Sequence, residues 1–363
     1  MKRRNFLAGI GTGILTTSTA SFLKAGGASA VPQTPRQQRP MMLDAMGEIR
    51  LTHPMNLVKE VLASGTNAVM VTITDPKEFG ETALDLALAD LLAYDRHIKD
   101  NSAFLLKATA VSDIDRARKE GKLALFYMLQ NMTPLMRDVR RVDLLYSLGV
   151  RALQLTYNEQ NYVGSGCRER GQNGLSNFGL EVIARLNELG VLLDTSHANM
   201  TTMAEAIAAS KKPTIISHTA CMSLYQHVRN TTDENIRTTA EKGGLIGICQ
   251  LRPFLTEKKA DNLSFFFDHI DHAVKVAGID HVCLGSDRDH RIIEDSPEEQ
   301  AVLLKEEGPQ FQTNDWPLYF REMNGPRRME VVWDGLKKRN YPEANVEKIM
   351  GGNLYRLYRE VIG

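Results

Sequence analysis

From residue 41 onward, short apolar runs alternate with stretches that carry apolar residues at helical spacing. The runs cover 41–46, 67–72, 122–129, 151–156, 191–195, 213–217, 245–249 and 281–286. They are too short for ordinary helices and mostly lack the polar alternation of a half-exposed strand, so they predict parallel strands buried on both faces. The intervening 55–64, 81–99, 113–120, 142–148, 180–189 and 265–276 read as helices. Eight strand–helix steps in succession predict an α/β fold, a (β/α)8 barrel of the TIM type, although a doubly wound open sheet has the same local signals. A further apolar run at 104–108 stands outside this rhythm. Residues 161–175 form a Gly-rich loop expected at the site, and the tail 292–363 holds Pro-rich loops with two more helices.

Barrels of this kind place their chemistry at the carboxyl ends of the strands. Those ends read, in order, Met46 and Glu48, Gln130, Tyr157, His197, His218 and Asp287. Two of them are alike, because 191–195 leads into Ser196-His197 and 213–217 ends in Ser217-His218. If these strands are neighbours, both imidazoles meet at one point, and convergent imidazoles most often bind a metal.

Composition narrows the picture. A chain of 363 residues with 43% hydrophobic content is used up by one barrel, so a single catalytic domain is expected over 41–363. Lys plus Arg and Asp plus Glu both number 44, and a chain without net charge offers no field for nucleic acid. Cys167, Cys221, Cys249 and Cys283 show no CxxC spacing, and no disulfide framework is expected. Residues 1–30 combine Arg3-Arg4, an apolar run diluted by Gly and Thr, and Ala28-Ser29-Ala30. They read as a twin-arginine-type signal peptide cleaved before Val31, which predicts a periplasmic or other extracytoplasmic location. A Pro- and Gln-rich linker follows over 31–40. The apolar run falls short of the ~20 residues a span needs, so the mature chain is expected to have no transmembrane anchor. A homodimer is left open.

The segments LTYNEQN, GLSNFGLEVIARLNELGVLLDTSH, PTIISHTACMSLYQHVRN, AEKGGLIGI, LGSDRD and EKIMGGNLYRL resemble, in order and spacing, the membrane (renal-type) dipeptidases, peptidase family M19. The resemblance covers nearly all of the chain after the signal. It implies a barrel of the metal-dependent hydrolase kind with two zinc ions. In that family an H-x-D motif ends the first strand, a Glu bridges the ions and two strand-end His bind the second ion. An Arg and an Asp handle substrate and proton transfer, and a further His supports the oxyanion. By this resemblance His197 and His218 match the second-ion histidines, Arg229 in HVRN matches the substrate arginine, and Asp287 in LGSDRD matches the catalytic aspartate. Four positions depart from the pattern. Met46 and Glu48 in LDAMGEI stand where the family has His and Asp, Gln130 stands for the bridging Glu, and Tyr157 stands for the oxyanion His.

A thioether and a neutral amide are poor zinc donors, so one zinc ion is expected rather than two, held by His197, His218 and Glu48. Glu48 also reads as a carboxylate paired with Arg50 or Arg252, and Gln130 as a hydrogen-bonding wall. Tyr157 retains an O–H that can donate to an oxyanion, and the fork of Arg229 suits the terminal carboxylate of a small peptide-like substrate. His227 and His290 lie near the same face and are given structural roles, while His53, His97, His269, His272 and His281 are given none. The function expected is an exported dipeptidase that hydrolyses a dipeptide or small amide by metal-activated water. The alternatives are a degenerate barrel that binds or matures a peptide-derived ligand, and a one-metal hydrolase of other specificity.

Overall fold

The computed structural model describes residues 40–171, 173–307 and 315–363. The expected signal over 1–30, and the expected linker up to residue 39, lie outside the described residues. All eight apolar runs are strands, and the 104–108 run adds a ninth. In chain order they are β1 (Met42–Asp44), β2 (Thr66–Thr72), β3 (Leu105–Ala108), β4 (Leu123–Leu129) and β5 (Val150–Gln154). They continue with β6 (Leu192–Asp194), β7 (Ile215–Thr219), β8 (Leu245–Ile248) and β9 (Val282–Leu284). Every pairing is parallel, in the order β1-β2-β4-β5-β6-β7-β8-β9. β4 explains the ninth strand. It is apolar and buried along its whole length, and one of its edges is shared: residues 123–126 pair with β3 and residues 127–129 with β5.

The ends of the sheet meet through loop backbone. Ala45 N–H donates to the Leu284 carbonyl, Asp287 N–H to that of Met46 and Glu48 N–H to that of Arg288, each at 2.9 Å. The fold is a (β/α)8 TIM-type barrel.

Two fully buried aspartates tie neighbouring strands just below the carboxyl face. Asp194, ending β6, accepts from the backbone N–H of Ser196 at 3.0 Å and of Ser217 at 3.1 Å, and from the Ser217 hydroxyl. Asp44, ending β1, accepts from Ser286 N–H at 2.8 Å, from the Ser286 hydroxyl at 2.6 Å and from Arg328 Nη2 at 3.0 Å. Burial pushes both carboxyls above their ordinary range, with the hydrogen bonds, and Arg328 for Asp44, opposing it. Gly285 precedes that serine because a Cβ there would lie 1.7 Å from the Ser217 carbonyl oxygen.

Among the described residues the tail carries four α-helices where two were expected: Pro297–Glu307, Arg328–Lys338, Glu343–Glu347 and Asn353–Val361. The last two join through a π turn, Lys348–Gly352, whose paired glycines read as a break. Gly351 instead lets the turn pack on the barrel, since a Cβ would meet the Met41 carbonyl at 2.5 Å. Among the described residues, no helix is long and apolar enough to cross a membrane. All four cysteines are free.

Candidate active site

β6 and β7 are neighbours, as the two Ser-His ends require. His197 and His218 are both buried, and their Nε2 atoms face each other at 2.9 Å. The other ring nitrogens have their own partners. His197 Nδ1 lies 2.9 Å from the Asn158 side-chain carbonyl, an acceptor. His218 Nδ1 lies 2.7 Å from Ser217 Oγ, which gives its one hydrogen to Asp194 and so accepts from the ring. Both protons therefore sit on Nδ1, and both Nε2 lone pairs point at each other. Burial, followed by the charge of Arg229, holds both rings well below the ordinary histidine pKa, so they are neutral. Two neutral lone pairs at this distance repel unless a cation lies to one side of both, and outer partners that orient ring nitrogens in this way are the usual support of metal-binding imidazoles.

A cleft of about 370 Å³ opens above His197 and is lined also by Glu48, Gln130, Tyr157, Arg229 and Asp287. Tyr157 stacks on the His197 ring with centroids 4.3 Å apart. Arg229 is buried, donates to the His218 carbonyl at 3.3 Å, and packs its guanidinium 5.4 Å from the centre of the Phe254 ring. Its Nε has no hydrogen-bond partner among the described residues, and no carboxylate pairs with it there. Burial pushes the Asp287 carboxyl up to about 7, with Arg229 opposing and Glu48 adding to the rise. Asn158, His197 and Asp287 all have left-handed backbones, with φ of 59°, 62° and 54°. Such conformations cost about 1–3 kcal/mol each and cluster where side chains are aimed for function.

The altered positions behave differently from one another. Met46 is buried in an apolar cluster with Met70, Phe126 and Met128 and does not line the cleft. Gln130 is buried and lines the wall. Glu48 also lines the cleft, but its carboxylate pairs with Arg50, the first of the two arginines expected; Arg252 instead spends its donors on backbone carbonyls, among them Lys258 at 3.0 Å. Among the described residues no three His, Cys, Asp or Glu side chains converge as a metal site. The imidazoles of His197 and His218 are the pair of donors turned toward one another at this face, while Met46 is buried away from the cleft.

Several residues were missed in the sequence. Asp289 sits 2.8 Å from Arg291 Nε and 3.1 Å from His53 Nε2, and against the penalty of burial these neighbours hold it well below the usual carboxylate range. His53, given no role, thus buttresses the cleft wall. Asn158 was legible only as the neighbour of Tyr157, and Asp194 only as the first residue of the DTSH run. His290 bonds Arg328 at 2.6 Å, and His227 stacks on Tyr225 and packs at a tilt against Phe254, as structural roles require.

The sequence profile described as membrane dipeptidase (peptidase family M19) matches residues 38–296. The chain belongs to this family. Among dipeptidase-family relatives, dipeptidase verJ of Clonostachys rogersoniana is 29% identical over 256 residues, 70% of this chain and 59% of that protein. The chain spans about half the length of the curated relatives it matches. An amidohydrolase from Pseudomonas aeruginosa superposes with a TM-score of 0.75 at 26% identity, covering 90% of this chain and 98% of the other. A metallopeptidase from Rhodobacter sphaeroides, liganded with a phosphinate mimic of the dipeptide L-Ala-D-Ala, superposes with a TM-score of 0.75 at 17% identity, covering 89% and 99%, and shares the barrel.

Proposed function

We propose that this protein is an exported dipeptidase whose centre takes one divalent cation, zinc, at His197 and His218. The observation that carries the reading is the pair of Nε2 lone pairs 2.9 Å apart beside a cleft that also holds the Asp287 carboxyl, pushed up to about 7, and a guanidinium without a carboxylate. When bound, the ion supplies a Lewis acid for the scissile carbonyl and lowers the pKa of water. Asp287 takes the proton of the attacking water and delivers it to the leaving amine. Tyr157 Oη donates toward the carbonyl oxygen as charge builds there, and Arg229 grips the terminal carboxylate. Glu48 joins the histidines as a third donor only by giving up Arg50. Export through residues 1–30 to the periplasm belongs to the same proposal and is supported by Arg3-Arg4 and Ala28-Ser29-Ala30.

The test is elemental analysis of the mature chain together with hydrolysis of a broad dipeptide panel with Zn²⁺ supplied. The expected result is turnover with at most one tightly held ion per chain, lost in a His197→Ala, His218→Ala double variant. Two ions per chain would mean that Glu48 and Gln130 act as ligands. Dipeptide binding with no turnover at all would replace the enzyme by a binding protein.

A further inference from the structure

The charges that line the cleft pair off unevenly. Glu48 is taken by Arg50, Asp75 by Lys77 at 3.0 Å, and Asp289 by Arg291. What remains is Asp287 and two guanidiniums, Arg229 and Arg168. The Arg168 side chain is exposed at the cleft and makes no hydrogen bond or ion pair among the described residues, yet its backbone is firmly placed. Its N–H donates to the Asn158 carbonyl at 2.8 Å, and that of the preceding Cys167 donates to the His197 carbonyl at 2.7 Å. Gly166 sits so close to Asn158 that a Cβ would lie 2.2 Å from its backbone. The Gly-rich loop is thereby held against the two residues that carry the centre, with a charged side chain left over. Arg168 and Arg229 both line the cleft beside the imidazole pair: the loop carrying Arg168 donates to the Asn158 and His197 carbonyls, and Arg229 donates to the carbonyl of His218. The wall beside Arg229 is apolar, formed by Leu251, Phe254 and Leu318. One guanidinium satisfies one terminal carboxylate, and a second, solvated one that has no protein partner and lines the same cleft is free to take a second anion.

We infer that Arg168 is a specificity-determining residue that takes the side-chain carboxylate of a dipeptide ending in Asp or Glu, while Arg229 takes its terminal carboxylate. The inference rests on the proposed role of Arg229 and deepens it to a substrate class. Two carboxylates on one C-terminal residue match the two guanidiniums that line the cleft.

The test compares Ala-Glu with its neutral isostere Ala-Gln, each with L and D C-terminal residues, on the intact mature protein. Hydrolysis gives kcat/KM, and calorimetry gives Kd independently of chemistry. Ala-Glu should be favoured by about fivefold or more, the scale of a partly exposed Arg–carboxylate pair. Arg168→Ala should bring the ratio to about one, Arg168→Glu should reverse it, and Arg168→Lys should keep part of it. A structural loss would weaken both ligands equally, so an unchanged ratio in Arg168→Ala overturns the assignment, as does a parent ratio of one. Binding that shows the ratio without any hydrolysis supports Arg168 while overturning the enzyme reading. Binding of neither dipeptide overturns both.

Discussion

Asp287 is buried enough to resist ionisation, yet Arg229 keeps its pKa within reach of neutrality, at about 7. As the proposed proton carrier it must start ionised, so kcat/KM should rise with pH through about 7 and then level. Asp287→Asn should flatten that limb and lower kcat by about 10²–10⁴. The same shift acts on stability with the opposite sense. Its folded value lies above the ordinary 3.8, so the stability it lends is full below that pH and lost as pH rises through about 7. Thermal denaturation of chelator-treated protein should therefore show Asp287→Asn gaining on the parent between pH 4 and 8; parallel curves would mean that the carboxyl is solvated. At this scale the strand ends named His197, His218, Tyr157 and Asp287, and the resemblance added Arg229; all but His218 line one cleft, and His218 lies against His197. It could not choose the partner of Glu48, because the choice depends on how the chain turns after β1. Nor could it foresee that Met46 faces the core, since a strand end gives position and not orientation.

Among elements, the two buried aspartates decide how β6 meets β7 and how β9 meets β1. Arg328 is fully buried beside Asp44, and removing one member strands the other's charge. Arg328→Met should cost about 3–5 kcal/mol in urea denaturation, whereas Asp44→Leu combined with Arg328→Met should cost clearly less than the sum of the two singles. Additive losses would show that the pair is uncoupled. The strands were legible because a parallel strand covered on both faces cannot hide its apolar run. β3 was seen as a run but not placed, because its position depends on β4 dividing one edge between two partners. The tail helices were harder. Ala301, Val302, Leu303 and Leu304 are consecutive and show no helical period, and the glycines of the π turn mimic a stop.

For the whole molecule, the proposed twin-arginine signal would carry the protein across the inner membrane already folded. Replacing Arg3 and Arg4 with Lys should leave the precursor in the cytoplasm, read by fractionation and immunoblot, and normal delivery would sink the twin-arginine reading. The seam described above bears on how such a chain comes to be finished. Ser286 reaches back to Asp44 across 242 residues of sequence, and Arg328 across 284. A ribosome that has delivered β1 through β8 has therefore made both histidines and Arg229, while β1 still waits with an open edge and Asp44 without its cation. Contacts this distant in sequence slow folding and prolong the exposure of unpaired strands. The last part of the chain to be synthesised is thus the part that shuts the first, and a product truncated before residue 282 would carry the imidazole pair on an open sheet, exposed to chaperones and proteases.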